Sequence, residues 1–145
     1  MFIMSNFAER LAELMFDNKI SKNFIIENFE INRTTLNRYL NGSRMPSLPL
    51  LIQFADLFNC SLDYLLGRTE NNYATKYKKC PPFSEQLTIF LNENKTNKSQ
   101  FQIKTQISES IIYDWHFGRH IPNIYNIIKI ADCYECSTDF VVGRE

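Results

Sequence analysis

The chain is 145 residues long and carries 16 basic and 16 acidic side chains, so its formal net charge is zero, while 44 % of its residues are hydrophobic. This length allows one ordinary domain or two small ones with a packed core, and the balanced charge excludes a protein that holds nucleic acid by bulk basicity alone. Only four glycines and five prolines interrupt it, which favours helices over a many-turned β fold. No apolar run approaches a membrane span, and Met1–Met4 lacks the basic start and small-residue cleavage site of a signal peptide. Four cysteines in a core-rich chain do not form a disulfide framework, so a cytoplasmic location is expected.

Taken in order, apolar periodicity and start signals predict helices over roughly 5–18, 22–29, 33–41, 48–58 and 62–66. Ser21, Asn32, Ser47 and Ser61 stand where a short side chain can accept from a free first-turn N–H. Asn41-Gly42 stops the third helix, and Pro46 keeps the loop from continuing it. Then the pattern starts again. Setting Phe7 against Phe83 aligns the chain with itself at a constant offset of 76, without a gap. Identical pairs include Leu11/Leu87, Lys22/Lys98, Ile31/Ile107, Gly42/Gly118, Pro46/Pro122, Asp56/Asp132, Cys60/Cys136, Gly67/Gly143 and Arg68/Arg144. Such a run implies a tandem duplication. The second set of helices is expected over roughly 81–94, 98–105, 109–117, 124–134 and 138–142, opened by Asn97, Ser108, Asn123 and Ser137. The polar segment Glu70–Pro82 reads as a linker, with a short helical extension through Tyr73–Tyr77 as the alternative.

The stretch ISKNFIIENFEINRTTLNRYLNGSRMP, from Ile20 to Pro46, has the plan of two short helices joined by a tight turn. The segment NGSRMPSLPLLIQFADLFNCSLDYLLGRTE (41–70) resembles the loop and last two helices of the lambda-repressor-like (Cro/repressor, Xre-type) DNA-binding family. FGRHIPNIYNIIKIADCYECSTDFVVGRE (117–145) keeps the same skeleton. The resemblance implies an all-α fold of two tandem five-helix helix-turn-helix domains. They would span 1–70 and 83–145, joined by a linker over 71–82. Two departures lie inside the motif. Ile26 and Gln102 replace the family's usual Ala in the second helix, and Glu30 and Gln106 replace its turn Gly. A non-Gly residue held left-handed there costs roughly 1 kcal/mol.

By that resemblance, Arg33, Thr34, Thr35, Asn37 and Arg38 face the major groove. Arg suits guanine, Asn suits adenine, and the Thr methyl suits thymine. Lys22, Asn23, Asn41, Ser43 and Arg44 would hold phosphates and set the register. The second copy puts Glu109 where Arg33 stands and Asp114 where Arg38 stands, and carboxylates there would repel phosphates. Glu109, Ile111, Tyr113 and Asp114 therefore read as a protein-facing surface.

Cys133-x-x-Cys136 with His116 and His120 invites a zinc reading. The repeat favours core-facing thiols instead, because Cys136 matches Cys60 and Cys133 matches Leu57; no metal is expected. Cys80 is expected to be the most exposed thiol, and His116, at the end of the second copy's third helix, and His120, in the loop after it, to be surface residues. Glu9, Glu85, Asp56 and Asp132 read as helix-surface acids. No Ser/His/Asp constellation or Gly-rich phosphate loop is present, so no enzyme, cofactor or small-molecule ligand is expected. The expectation is a transcriptional regulator, of repressor type, that binds duplex DNA as a homodimer. The alternative is a protein-interaction module, an antirepressor or assembly partner, that keeps the fold without reading DNA.

Overall fold

The computed structural model describes residues 3–72 and 76–145. Among the described residues there are ten helices and no strand. The chain divides into two compact units, Met1–Thr75 and Lys76–Glu145. The first holds α1 (Ile3–Asp17), α2 (Lys22–Phe29), α3 (Arg33–Leu40), α4 (Leu48–Phe58) and α5 (Leu62–Leu65). The second holds α6 (Phe83–Glu93), α7 (Lys98–Thr105), α8 (Glu109–His116), α9 (Ile124–Cys133) and α10 (Thr138–Val142). No helix among the described residues is long and apolar enough to cross a membrane.

Local chemistry sets the helix starts. Ser21, Asn32, Ser47 and Ser61 each accept, through a side-chain oxygen, the N–H three residues on, at 3.1, 2.7, 3.4 and 2.9 Å. Asn97, Ser108, Asn123 and Ser137 do the same in the second unit. The exception is α6. It begins at Phe83, two residues after the expected start, with Pro82 at its N-cap in an extended conformation and no side-chain cap. A residue that precedes proline is driven from the helical region, so Pro81 cannot open the helix. Of the helical extension read through Tyr73–Tyr77, residues 73–75 lie outside the described residues, and Lys76 and Tyr77 are not helical.

Among the described residues six non-glycines are left-handed: Lys19, Glu30 and Asn59 in the first unit and Lys95, Gln106 and Glu135 in the second. Each stands 76 residues from its counterpart, as do Gly42 and Gly118. Glu30, with φ 53° and ψ 42°, closes α2 and turns the chain into α3. A β-branched side chain tolerates that conformation least. Glu30→Val is expected to destabilise the chain by about 1–2 kcal/mol, whereas Glu30→Gly is expected to cost nothing; urea unfolding of the two variants checks this.

The cores are built on aromatic hubs. In the first unit Phe54 of α4 meets the rings of Phe29, Phe7 and Tyr39 at centroid separations of 4.7, 6.3 and 6.4 Å. In the second unit Phe90 of α6 meets Tyr134, Phe140 and Phe101 at 5.2, 5.8 and 6.3 Å. At the offset of 76, Phe54 faces Ile130 and Leu14 faces Phe90, and all four are buried. The large ring of the pair stands on the fourth helix in one unit and on the first in the other, so the summed side-chain volume of the pair is about the same, as a core at crystal-like packing density favours.

The two units close differently. Arg68 meets Asp63 at 2.9 Å with side chains 27 % and 18 % exposed. Arg144 meets Asp139 at 2.7 Å with side chains 0 % and 3 % exposed. Residues 76–82, read from the sequence as linker, belong to the second unit. There the Lys78 N–H donates to the Arg144 carbonyl at 2.7 Å, and the Arg144 guanidinium lies 4.0 Å from the centre of the Tyr77 ring. Removing the carboxylate opposite a buried guanidinium is costly, while a half-exposed pair contributes little. Asp139→Ala is expected to cost about 3–5 kcal/mol and Asp63→Ala under about 1 kcal/mol, as read from denaturant midpoints.

Candidate nucleic-acid interface

The candidate surface is built on α3. This helix buries Leu36 and Tyr39 and leaves Arg33, Thr34, Asn37 and Arg38 exposed. Thr35 is half-buried, because a helix turns about 100° per residue and carries it round to the flank. It therefore departs from its expected place among the base-reading residues.

Two cross-braces join the opening of α2 to this face. The Arg33 guanidinium donates to the Asn23 side-chain oxygen. The Lys22 ammonium donates to the Asn37 side-chain oxygen at 3.0 Å. The residues assigned from the sequence to phosphates and those assigned to bases thus lie within hydrogen-bond reach of one another. Holding such long side chains before binding reduces the rotamer entropy lost on binding.

The loop after α3 folds back on the helix end. Ser43 and Arg44 both donate their N–H groups to the Arg38 carbonyl, at 3.0 and 3.3 Å, and the Asn41 side chain accepts the Ser43 N–H at 2.9 Å. Gly42, at φ 78°, makes this turn close to the backbone of Met4 and Ser5. The result sets Ser43 and Arg44 beside the end of α3. Lys22, Arg33, Arg38 and Arg44, all exposed, give this face four positive charges in a chain of zero net charge.

The matching face of the second unit has other chemistry. Ile111 and Tyr113 are exposed, as expected, at 41 % and 43 %. Asp114 is half-buried and meets Arg119 at 3.6 Å and His120 Nδ1 at 3.3 Å, so the Arg119 cation offsets part of its charge. Lys98 lies 5.7 Å from the centre of the Tyr113 ring, where Lys22 in the first unit meets Asn37. Phe117 stacks on Tyr113 at 5.8 Å and is itself 58 % exposed. Phe117 and Arg119 were not among the residues expected on this face. The signal was present in the repeat, since Phe117 stands opposite polar Asn41.

The thiols and histidines also differ from expectation. Cys60 is fully buried, but Cys133 and Cys136 are half-buried, as is Cys80. The Cys133 thiol donates to the Lys104 carbonyl at 3.5 Å. His116 ends α8, as expected, but is half-buried, edge-on to Phe117 at 4.8 Å. Among the described residues, no three His, Cys, Asp or Glu side chains gather as metal ligands would.

Residues 27–65 match the helix-turn-helix family. The match runs from the second half of α2 to the end of α5 and so contains α3, its left-handed turn and the loop behind it. No curated protein and no solved structure matches the chain. Within this helix-turn-helix segment, Tyr39 ties the exposed α3 face to the core. Burial pushes its phenol above the ordinary 10.0, and the Arg44 charge pulls the other way. Burial raises Tyr134 in the second unit likewise. A group whose folded pKa is raised adds stability that is present below its unfolded pKa and lost as pH climbs through the folded one. The stability these two phenols contribute is therefore expected to be level below pH 10.0 and to be lost above it. The fall should be shallower in Tyr39→Phe, as measured by thermal melts on a series of alkaline buffers.

Proposed function

We propose that the chain is a sequence-specific, duplex-DNA-binding transcriptional regulator, of repressor type, that reads the major groove with α3 of its first unit. The observation that carries this is the braced, four-cation face on α3 inside the segment that matches the helix-turn-helix family. Arg33, Thr34, Asn37 and Arg38 read base edges, and Lys22, Asn23, Asn41, Ser43 and Arg44 hold phosphates. Thr35 serves the helix flank.

The constant offset, together with left-handed residues and caps that recur at it, supports descent of the two units from one duplicated lambda-repressor-like domain. The second unit has exchanged base-reading side chains for an aromatic face and serves association. A single reading head on a neutral protein binds weakly, so affinity comes from pairing two chains on half-sites about 34 Å apart. The protein acts by binding and not by catalysis.

Selection of bound duplexes from a random pool, followed by titration at two salt concentrations, tests this. A palindrome is expected. Arg33→Ala and Arg38→Ala should each cost about 1–3 kcal/mol on it, and Lys22→Ala should weaken all sequences alike and lower the salt slope by about one. No enrichment, or unchanged affinity in both arginine variants, would overturn the proposal. The second reading, a protein-interaction module without DNA reading, is favoured by one observation, the exposed aromatic pair on α8.

A further inference from the structure

The α8 face of the second unit has an organisation that a mere loss of DNA contacts does not explain. Glu109 and Tyr113 are one turn apart, Phe117 follows at the next, and all three are exposed. Tyr113 and Phe117 stack with their rings 17° from parallel. Arg119, 63 % exposed, lies over Phe117 at 5.2 Å. Ser110, also exposed, is a small side chain on the same side of the helix as Tyr113 and Phe117. Scattered exposed hydrophobics are ordinary, but a stacked aromatic ridge with a charge of each sign at its two ends is not.

We infer that this face pairs with the same face of a second copy of the chain, the two α8 helices antiparallel across a two-fold axis beside Tyr113 and Asp114. Self-complementarity selects that occupant. An isologous contact needs each group to find its complement at the symmetry-related position. An antiparallel pairing centred there sets Glu109 of one copy against Arg119 of the other. It also seats the Phe117 ring over the small, exposed Ser110. The helix dipoles oppose, with the acid at the helix start and the cation past its end. The two Asp114 carboxylates come near the axis, and each has its own Arg119 at 3.6 Å and the His120 ring at 3.3 Å beside it. A nucleic acid fits this face less well: Glu109 and Asp114 balance Lys98 and Arg119, and the ridge has only two rings for base stacking.

The inference deepens the assignment of the second unit to association and names its seam. Sedimentation velocity of the full chain, without DNA and over a micromolar concentration series, is the test. Glu109→Arg and Arg119→Glu should each weaken the dimer roughly tenfold or more, because like charges then meet twice in each dimer. An equimolar mixture of the two variants should restore it, since every contact again pairs opposite charges. Phe117→Ser should weaken it comparably, and thermal melts of each variant report whether the fold is intact. A dimer indifferent to all three substitutions would overturn this seam and leave the association role standing. A chain that stays monomeric throughout would overturn both. Loss of binding to a labelled single-stranded or duplex oligonucleotide in Phe117→Ser, with no change in sedimentation, would overturn the seam and assign the face to nucleic acid.

Discussion

Burial of one face of α3 is the constraint on which the first unit depends. Leu36 and Tyr39 go into the core, where Tyr39 meets the Phe54 hub edge-on. Once those two positions are buried, the pitch of the helix fixes what can be outside. Arg33, Thr34, Asn37 and Arg38 are exposed as a consequence of packing. The turn must also deliver α3 to that place, and it does so through a left-handed Glu30. The interface thus rests on hydrophobic burial behind it and one strained backbone position beside it.

The same framework holds in the second unit with its chemistry changed. Trp115 takes the place of Tyr39 and meets Phe83 edge-on at 5.6 Å, and Gln106 takes the left-handed place of Glu30. At these two positions the backbone and core demands are met by side chains of similar kind, aromatic for aromatic and long polar for long polar. The exposed positions carry no packing demand, and they hold cations and amides in the first unit and an aromatic ridge in the second. A scaffold that separates its core from its surface in this way lets two units of one framework present different surface chemistry.

Position 10 and its counterpart show how one structural task is met by two chemistries. The Arg10 guanidinium donates to the Tyr64 carbonyl at 2.6 Å and lies 3.8 Å from the centre of the Tyr64 ring. The buried Gln86 amide donates to the Phe140 and Val141 carbonyls. Both satisfy acceptors at the end of a short last helix, where carbonyls lack intrahelical partners. The buried cation of the second unit is Arg144 instead, under the Tyr77 ring. Long-range partners of this kind left no mark in the local pattern of residues.

The sequence by itself determined the helices and, apart from the start of α6, their ends, because a cap is a contact over three residues and an amphipathic period needs only one face. It also marked the left-handed turns at Glu30 and Gln106 and most of the cationic face, which follows from the α3 period. Only the tertiary structure decided the rest. It turned Thr35 to the flank, paired Asp114 with Arg119 and His120, left Cys133 and Cys136 half-exposed, and drew residues 76–82 onto the second unit over Arg144. Each of these depends on which groups distant parts of the fold bring within a few ångströms, and on how much water they exclude. No local periodicity encodes either quantity.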